Sequence, residues 1–159
     1  MTVPTIYSPK FDRPRLSIAG RALAALVAAA CLSALCIARI LTPSPDGLAT
    51  HRELGLEPCA FFATTGIPCP SCGMTTSFAW FARGNLAASF YIQPMGCVLA
   101  ILCAAGFWIG LYIAMTGRPA HRLLKRFNQT PLLIGLALFG LAAWGWKIFI
   151  HLHGLDGWR

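Results

Sequence analysis

Three cysteines carry the densest potential for chemistry in this sequence. Cys59 precedes the run TTGIPCPSCGMT (residues 64–75), in which Cys69 and Cys72 are three residues apart at the predicted start of a helix. The positive end of a helix stabilises a thiolate and lowers the pKa of a cysteine placed there. Three kinds of chemistry fit this pattern: structural cross-linking, thiol–disulfide exchange and metal binding.

A structural disulfide is the leading interpretation at the level of sequence. In an oxidising compartment, paired cysteines are expected to be linked unless they bind something. Pro68 and Pro70 stiffen the approach to the helix, and Gly66 and Gly73 permit tight turns. A disulfide here would staple the loop to the start of the helix.

Redox chemistry is the second interpretation. Cys69 would attack a substrate and Cys72 would resolve the product, with Cys59 as a further partner thiol. Membrane enzymes that pass electrons between thiols and a quinone carry cysteines in such places, which makes quinone a candidate cofactor. The strand-and-helix pattern of a thioredoxin domain is absent from the sequence.

A metal site is the third interpretation. Cys59, Cys69 and Cys72 supply three thiolates, and zinc prefers four tetrahedral ligands. His51, in the same loop, is the candidate fourth ligand, and the candidate metal is zinc. Further candidates for the fourth position are His151 and His153. Histidines at a water interface are also common without any ligand role.

Composition places these residues in a membrane protein. Hydrophobic residues make up 57% of the 159 residues and charged residues 11%, whereas roughly one quarter of a soluble domain is charged. The net charge of +8 lies mainly in basic clusters that flank apolar stretches, as the positive-inside bias produces. No aromatic residues alternate with these clusters, which argues against nucleic-acid binding.

Three apolar stretches are long enough to cross a bilayer. The predicted spans are residues 18–41, 94–115 and 131–150. Because no small-x-small cleavage site precedes the prolines after the first stretch, that stretch is predicted to be retained as a span. We therefore expect a basic tail (1–17) and a single membrane domain (18–159), with the cysteine loop at 42–93.

The basic residues predict the orientation of these spans. Residues 1–21, which are the N-terminal tail and the first turn of the first span, and the link at residues 116–130 each carry four lysines or arginines, and three spans place both segments on one side. We therefore expect a multi-pass protein of the cytoplasmic (inner) membrane. Its N-terminus is predicted to be cytoplasmic and its cysteine loop extracytoplasmic.

Two short helices are predicted within the cysteine loop. Residues 72–82 are apolar but too short to span, and Met74, Phe78 and Phe81 fall on one face at helical spacing. Asn85 is a suitable N-cap for a second helix at residues 86–92. In the second span, a G-x-x-x-G pair at residues 106 and 110 could admit another helix at close range.

Several of these features resemble those of a known family. They are Cys59, the run TGIPCPSCGMT at 65–75, Gly84-Asn85 and Pro94. Over residues 57–96 the chain resembles a bacterial membrane-protein family, the domain-of-unknown-function family twenty-seven fifty-two. Its members carry a TG-x-P-C-P-x-C-G-x-T signature between their first two apolar segments. Thr76 stands where an arginine is common, and Gln93 where an asparagine is common. The resemblance implies a small polytopic membrane protein and supplies no reaction.

The sequence as a whole predicts an all-α integral membrane protein with three spans and one or two short interfacial helices. Because so small a bundle buries little surface, homo-oligomerisation or docking onto a larger membrane partner is a further hypothesis, beside contact with the lipid bilayer. The leading functional hypothesis is an accessory or scaffold protein with a disulfide-stapled CPxC loop. The alternatives are a thiol–disulfide oxidoreductase using Cys69 and Cys72, and a metal-binding protein. Motifs for serine, nucleotide or P-loop chemistry are absent from the sequence.

Overall fold

A computed structural model describes residues 16–57, 59–118 and 129–158. These residues form six α-helices and one 3-10 helix, and they contain no strand. In chain order they are α1 (Ile18–Ile40), the 3-10 helix (Thr50–Leu54), α2 (Ala60–Thr65), α3 (Met74–Phe81), α4 (Leu86–Ile92), α5 (Pro94–Thr116) and α6 (Gln129–Leu152). The all-α prediction is confirmed. Three of the helices, α1, α5 and α6, are long and apolar enough to cross a membrane.

The ends of the three long helices lie within two residues of the predicted ends. Helix α1 begins after Ser17, whose hydroxyl accepts a hydrogen bond from the backbone N–H of Gly20 at 3.2 Å. Helix α5 begins with Pro94, at a position where the missing N–H is not needed. The predicted basic tail, apart from its last two residues, and most of the predicted basic link lie outside the described residues.

Helices α1 and α5 pack against each other through small residues. A Cβ atom on Gly110 would lie 2.8 Å from the carbonyl oxygen of Ala24 and 3.1 Å from Cβ of Ala28. A Cβ atom on Gly106 would lie 3.3 Å from Sγ of Cys31. The G-x-x-x-G pair therefore brings two helices of the same chain together.

Two arginines bind carbonyl groups at helix C-termini. Nε of Arg21 donates to the carbonyl oxygen of Ala114, in the last turn of α5, at 2.9 Å. Nη1 of Arg83 donates to the carbonyl oxygens of Ala79 at 3.0 Å and Ala38 at 3.4 Å. Carbonyls at helix ends lack intrahelical donors and carry partial negative charge, so each guanidinium stabilises the junction that it bridges.

Helices α3 and α4 confirm the two predicted short helices, and Asn85 caps α4 by accepting a hydrogen bond from the N–H of Ala88 at 2.9 Å. The fully buried face of α3 is small and polar, and it consists of Thr76, Ser77 and Ala79. The predicted apolar face of α3 is only half-buried. Polar groups bury without penalty where they are paired, and Ser77 Oγ lies 2.9 Å from Ser89 Oγ in α4.

The two halves of α6 have different surroundings. In its first half, most of the large apolar side chains are exposed, namely Leu132, Leu133, Ile134 and Leu138, and Leu136 and Phe139 are half-buried. Its second half buries Ala143, Lys147 and Ile150, which follow one another at helical spacing along one face. This second half, together with residues 153–158, packs against the segment that carries the cysteines.

Candidate functional site

The three cysteines outside the long helices meet in one cluster. Sγ of Cys69 lies 3.0 Å from Sγ of Cys72 and 3.5 Å from Sγ of Cys59. All three sulfur atoms lie within 4.8 Å of one another. Since a disulfide bond is about 2.05 Å long, these are three free thiols, as are the other cysteines that the structure describes.

Short turns position each of these thiols. Cys59 is the N-cap residue of α2, a helix that the sequence analysis did not predict. Cys69 follows Pro68, whose side chain is fully buried. The backbone N–H of Cys72 then bonds the carbonyl of Cys69 at 3.0 Å, which closes a tight turn two residues before α3. The turn places both sulfurs of the C-x-x-C pair on the same side of the chain.

Gly73 is required by this turn. Its φ is 87°, in the left-handed region that favours glycine. A Cβ atom here would lie 3.1 Å from the carbonyl oxygen of Gly47 and 3.4 Å from Cε of Lys147. Both the backbone conformation and the space around it therefore exclude a side chain next to Cys72.

Two long-range hydrogen bonds hold the loop in place. The indole N–H of Trp144 donates to the carbonyl of Pro68 at 2.8 Å, and the amide Nε2 of Gln93 donates to the carbonyl of Pro70 at 2.8 Å. Sequence analysis missed both contacts because their partners are 76 and 23 residues away. The loop is thus anchored to α6 and to the start of α5 without a covalent link.

The two thiols of the C-x-x-C pair differ in acidity. Burial alone would raise the pKa of Cys69, but hydrogen bonds from Ser71, Cys72 and Cys59 outweigh burial and lower this pKa to about 7. Burial, hydrogen bonding with Cys69 and the charge of Cys69 raise the pKa of Cys72 to about 12. The partly exposed Cys69 is therefore the thiolate of the pair, and Cys72 donates a hydrogen bond to it.

A charged chain lies beside the cysteines. The ammonium of Lys147 is fully buried; it donates to Oδ1 of Asp156 at 3.0 Å and to the carbonyl of Gly47 at 3.3 Å. The other carboxylate oxygen of Asp156 is hydrogen-bonded to Nδ1 of His151. Lys147 lies near the C-terminal end of α6, and its side chain is buried in this ion pair instead of extending to solvent. Its ion-pair partner comes from the segment that folds back after α6, which no local pattern indicates.

A cleft of about 1200 Å³ gives access to the cluster. Its lining includes all three cysteines, His51, His151 and Asp156. Nε2 of His51 lies 3.2 Å from the carbonyl oxygen of Glu57, and within the described residues the tight cluster contains the three thiols alone. The predicted ligand set of Cys59, Cys69, Cys72 and His51 therefore shares one cleft, in which the three sulfurs are close enough to bind one soft metal ion.

Fold and site together define a helical protein, with helices able to span a membrane and a three-thiol cleft at one end. The model of a family described as a protein of unknown function (DUF2752) matches residues 59–107. The resemblance to that family is confirmed over this stretch, which contains all three clustered cysteines and ends within α5. Lys147, His151 and Asp156 lie beyond it. Neither the curated proteins nor the solved structures yield a match.

Proposed function

We propose that this protein is a membrane thiol–disulfide oxidoreductase in which Cys69 attacks and Cys72 resolves. The observation that carries the proposal is the placement of two free thiols 3.0 Å apart in an accessible cleft, with the less buried one first in the chain. A third thiol, Cys59, stands 3.5 Å from the attacking sulfur. Because hydrogen bonds from Trp144 and Gln93 already anchor the loop, a structural staple is not needed to hold it.

The reaction is an exchange between two dithiol–disulfide pairs. The thiolate of Cys69 attacks one sulfur of a substrate disulfide, the substrate S–S bond breaks, and the other substrate sulfur leaves as a thiolate and takes a proton. Cys72 then loses its proton and attacks Sγ of Cys69, releasing the second substrate sulfur. Two electrons pass from the Cys69–Cys72 dithiol to the substrate, and a second dithiol restores the pair by the reverse exchange.

The unequal acidity of the two thiols supports this order of events. With its pKa at about 7, about half of Cys69 is in the reactive thiolate form at neutral pH. Part of what raises the pKa of Cys72 is the charge of Cys69 and the hydrogen bond between them. Both effects disappear once Cys69 is held in a mixed disulfide, so the resolving thiol becomes more acidic at the step that needs it.

The proposed compartment follows from the orientation predicted by the basic segments. With the N-terminus in the cytoplasm, the cleft faces the outer side of the membrane, where disulfide-containing substrates are found. Lipid surrounds the exposed apolar half of α6 in this arrangement. A reductant for the pair would be a membrane or extracytoplasmic dithiol.

The test uses the purified protein in detergent with oxidised glutathione as the disulfide probe. The parent protein is expected to release two glutathione thiols and form a Cys69–Cys72 disulfide. The Cys72→Ser variant, made in a Cys59→Ser background because Cys59 also lies within reach of Sγ of Cys69, should stop after one release, with glutathione bound to Cys69. Cys36→Ser, which changes an exposed thiol on α1, is the matched control and should behave as the parent.

Two results would overturn the proposal in favour of the other interpretations. Failure of Cys72→Ser to accumulate an adduct, together with low abundance of Cys69→Ser in cells, supports a structural staple. Near-stoichiometric zinc in protein purified under reducing conditions, with Cys69 protected from the probe until a chelator is added, supports a metal site.

A further inference from the structure

Lys147, Asp156 and His151 form a buried charged chain beside the C-x-x-C turn, and the exchange reaction as described above makes no use of them. The Lys147 side chain is 0% exposed, and those of Asp156 and His151 are 15% and 24% exposed. Moving an ammonium ion out of water is energetically costly, and pairing it with a carboxylate offsets only part of that cost. A chain built mainly from apolar helices keeps this cation beside the cluster of three thiols.

The position of Lys147 relates it to Cys72 in particular. Its Cε lies 3.4 Å from where a Cβ of Gly73 would stand, and Gly73 directly follows Cys72. An ammonium has three N–H donors, and Asp156 and Gly47 are its two acceptors within the described residues. The cation therefore lies beside the turn that carries Cys72.

Asp156 and His151 fix the direction of the ammonium. One carboxylate oxygen of Asp156 accepts from Lys147 and the other is bonded to His151, so the carboxylate cannot rotate without breaking one of the two contacts. The ammonium also donates a hydrogen bond to the backbone carbonyl of Gly47, which restrains it from a second direction. Held in this way, the cation needs no rearrangement when charge develops near it.

We propose that Lys147 is a positioning residue that stabilises the thiolate of Cys72 during the resolving step. Asp156 and His151 hold Lys147 in place, and the inference rests on the proposed function. During that step, the proton of Cys72 leaves to water in the cleft, and the electron pair of its sulfur forms the bond to Sγ of Cys69. The bond between Cys69 and the substrate sulfur breaks. The ammonium acts on the attacking sulfur while it is anionic and takes no part in the bonds that change.

Several titratable groups share this environment and must be considered in any pH profile. Besides Cys72, those that line the cleft or belong to the charged chain are Asp46, His51, Arg52, Cys59, Cys69, Tyr91, Lys147, His151 and Asp156. Comparing the two steps isolates an effect on the Cys72 thiolate. A group that acts on the cleft in general changes both steps, whereas only the resolving step needs a thiolate on Cys72. A purely structural role for Lys147 would change both steps together or neither.

The test measures the two steps separately with oxidised glutathione in detergent. Lys147→Met should form the adduct on Cys69 at the parent rate but release the second glutathione about three-fold more slowly, because one unit in the pKa of the attacking thiol lowers its thiolate fraction about ten-fold and a more basic thiolate is more nucleophilic. The pH profile of the second step should move upward by the same unit. Lys147→Arg, which keeps the charge, should recover most of the rate.

A pair of histidine variants keeps the proposal testable even if Lys147→Met does not fold. His151→Gln removes the partner of Asp156 and should slow the second step alone. His153→Gln is the matched control, because His153 lies at the same helix end, is exposed, and contacts the Phe149 carbonyl instead. Equal rates of the second step in the parent, Lys147→Met and His151→Gln would overturn the role of Lys147 while leaving the oxidoreductase intact. No exchange by the parent would overturn the proposed function itself.

Discussion

At the scale of single residues, three chemically identical thiols are distinguished by their surroundings. Cys69 receives hydrogen bonds from three neighbours, whereas Cys72 is more deeply buried and faces the charge of Cys69. The sequence analysis singled out the three cysteines that form the cluster, because a C-x-x-C pair followed by a helix is a local pattern. It assigned the attack to Cys69 from the effect of a helix N-terminus, whereas in the structure hydrogen bonds from Ser71, Cys72 and Cys59 lower the pKa of Cys69.

The low pKa of Cys69 predicts that it is alkylated faster than an ordinary cysteine at pH 7 and more slowly at pH 9. At pH 7 a thiol of pKa 7 is about half ionised against roughly 3% for an ordinary cysteine of pKa about 8.5. Its lower intrinsic nucleophilicity offsets part of this gain, so Cys69 should react with iodoacetamide about three-fold faster than an unstructured cysteine peptide at pH 7. At pH 9, where both thiols are ionised, Cys69 should be the slower of the two.

Mass spectrometry of the peptide containing Cys69, labelled from pH 5 to pH 9, checks this crossover. The cysteine peptide in the same tube provides the control. A profile for Cys69 that follows the peptide at every pH would contradict the hydrogen-bonded arrangement of the three thiols.

Gly73→Ala should destabilise the protein through both strain and crowding. An alanine at φ 87° costs about 1 kcal/mol in the left-handed region, and its Cβ would press on the Gly47 carbonyl at 3.1 Å. Gly84→Ala is a matched control, because Gly84 has φ 81° and open space around it. Thermal unfolding in detergent should show an additional loss for Gly73→Ala of roughly 1–3 kcal/mol, the usual cost of overpacking. Equal losses would show that the turn beside Cys72 has room to adjust.

At the scale of helices, the sequence predicted the features that depend on neighbouring residues and missed those that depend on distant contacts or on very short segments. Hydropathy is a property of a continuous stretch, so α1, α5 and α6 were predicted to within two residues. Helix α4 was predicted from its Asn85 cap. Helix α2 was missed, because its six residues have no periodic pattern to read. The buried face of α3 was also missed, because Thr76 and Ser77 are buried through hydrogen bonds to partners elsewhere in the chain.

The contact between α1 and α5 gives a prediction about helix packing. Gly110→Leu would drive a side chain into the Ala24 carbonyl and Ala28, so it should lower the free energy of unfolding by about 1–3 kcal/mol or separate the two helices. Gly140→Leu is the matched control, since Gly140 on α6 has nothing within 4 Å of its Cβ position. Size-exclusion chromatography and thermal unfolding in the same detergent compare the two variants. A stable Gly110→Leu would mean that α1 and α5 are not packed at this point.

At the scale of the whole molecule, the site depends on contacts between distant parts of the chain. Gly47 and Lys147 are 100 residues apart, and Pro68 and Trp144 are 76 apart. Tyr91 in α4 likewise donates to the carbonyl of Leu155 at 2.9 Å. The end of α6 and the segment after it therefore close the cleft around the cysteines, and no local sequence pattern could have predicted this arrangement. The chemistry of the cysteine loop, which precedes α5, therefore depends on α6 as well.

The orientation of the whole protein in the membrane gives the last prediction. A membrane-impermeant maleimide applied to reduced, intact cells that express the protein should label Cys69 before lysis, because the cleft is predicted to face outward. The other described cysteines, apart from Cys59 and Cys72, lie in α1 and α5, so Cys69→Ser should remove most of this signal. Asn128→Cys, made in the Cys69→Ser background, places a thiol in the basic link and should be labelled only after lysis.

The reverse pattern, with Asn128→Cys labelled in intact cells and Cys69 only after lysis, would put the cleft in the cytoplasm. Its thiols would then face a reducing glutathione pool, and the exchange would run with cytoplasmic dithiols in place of extracytoplasmic disulfides.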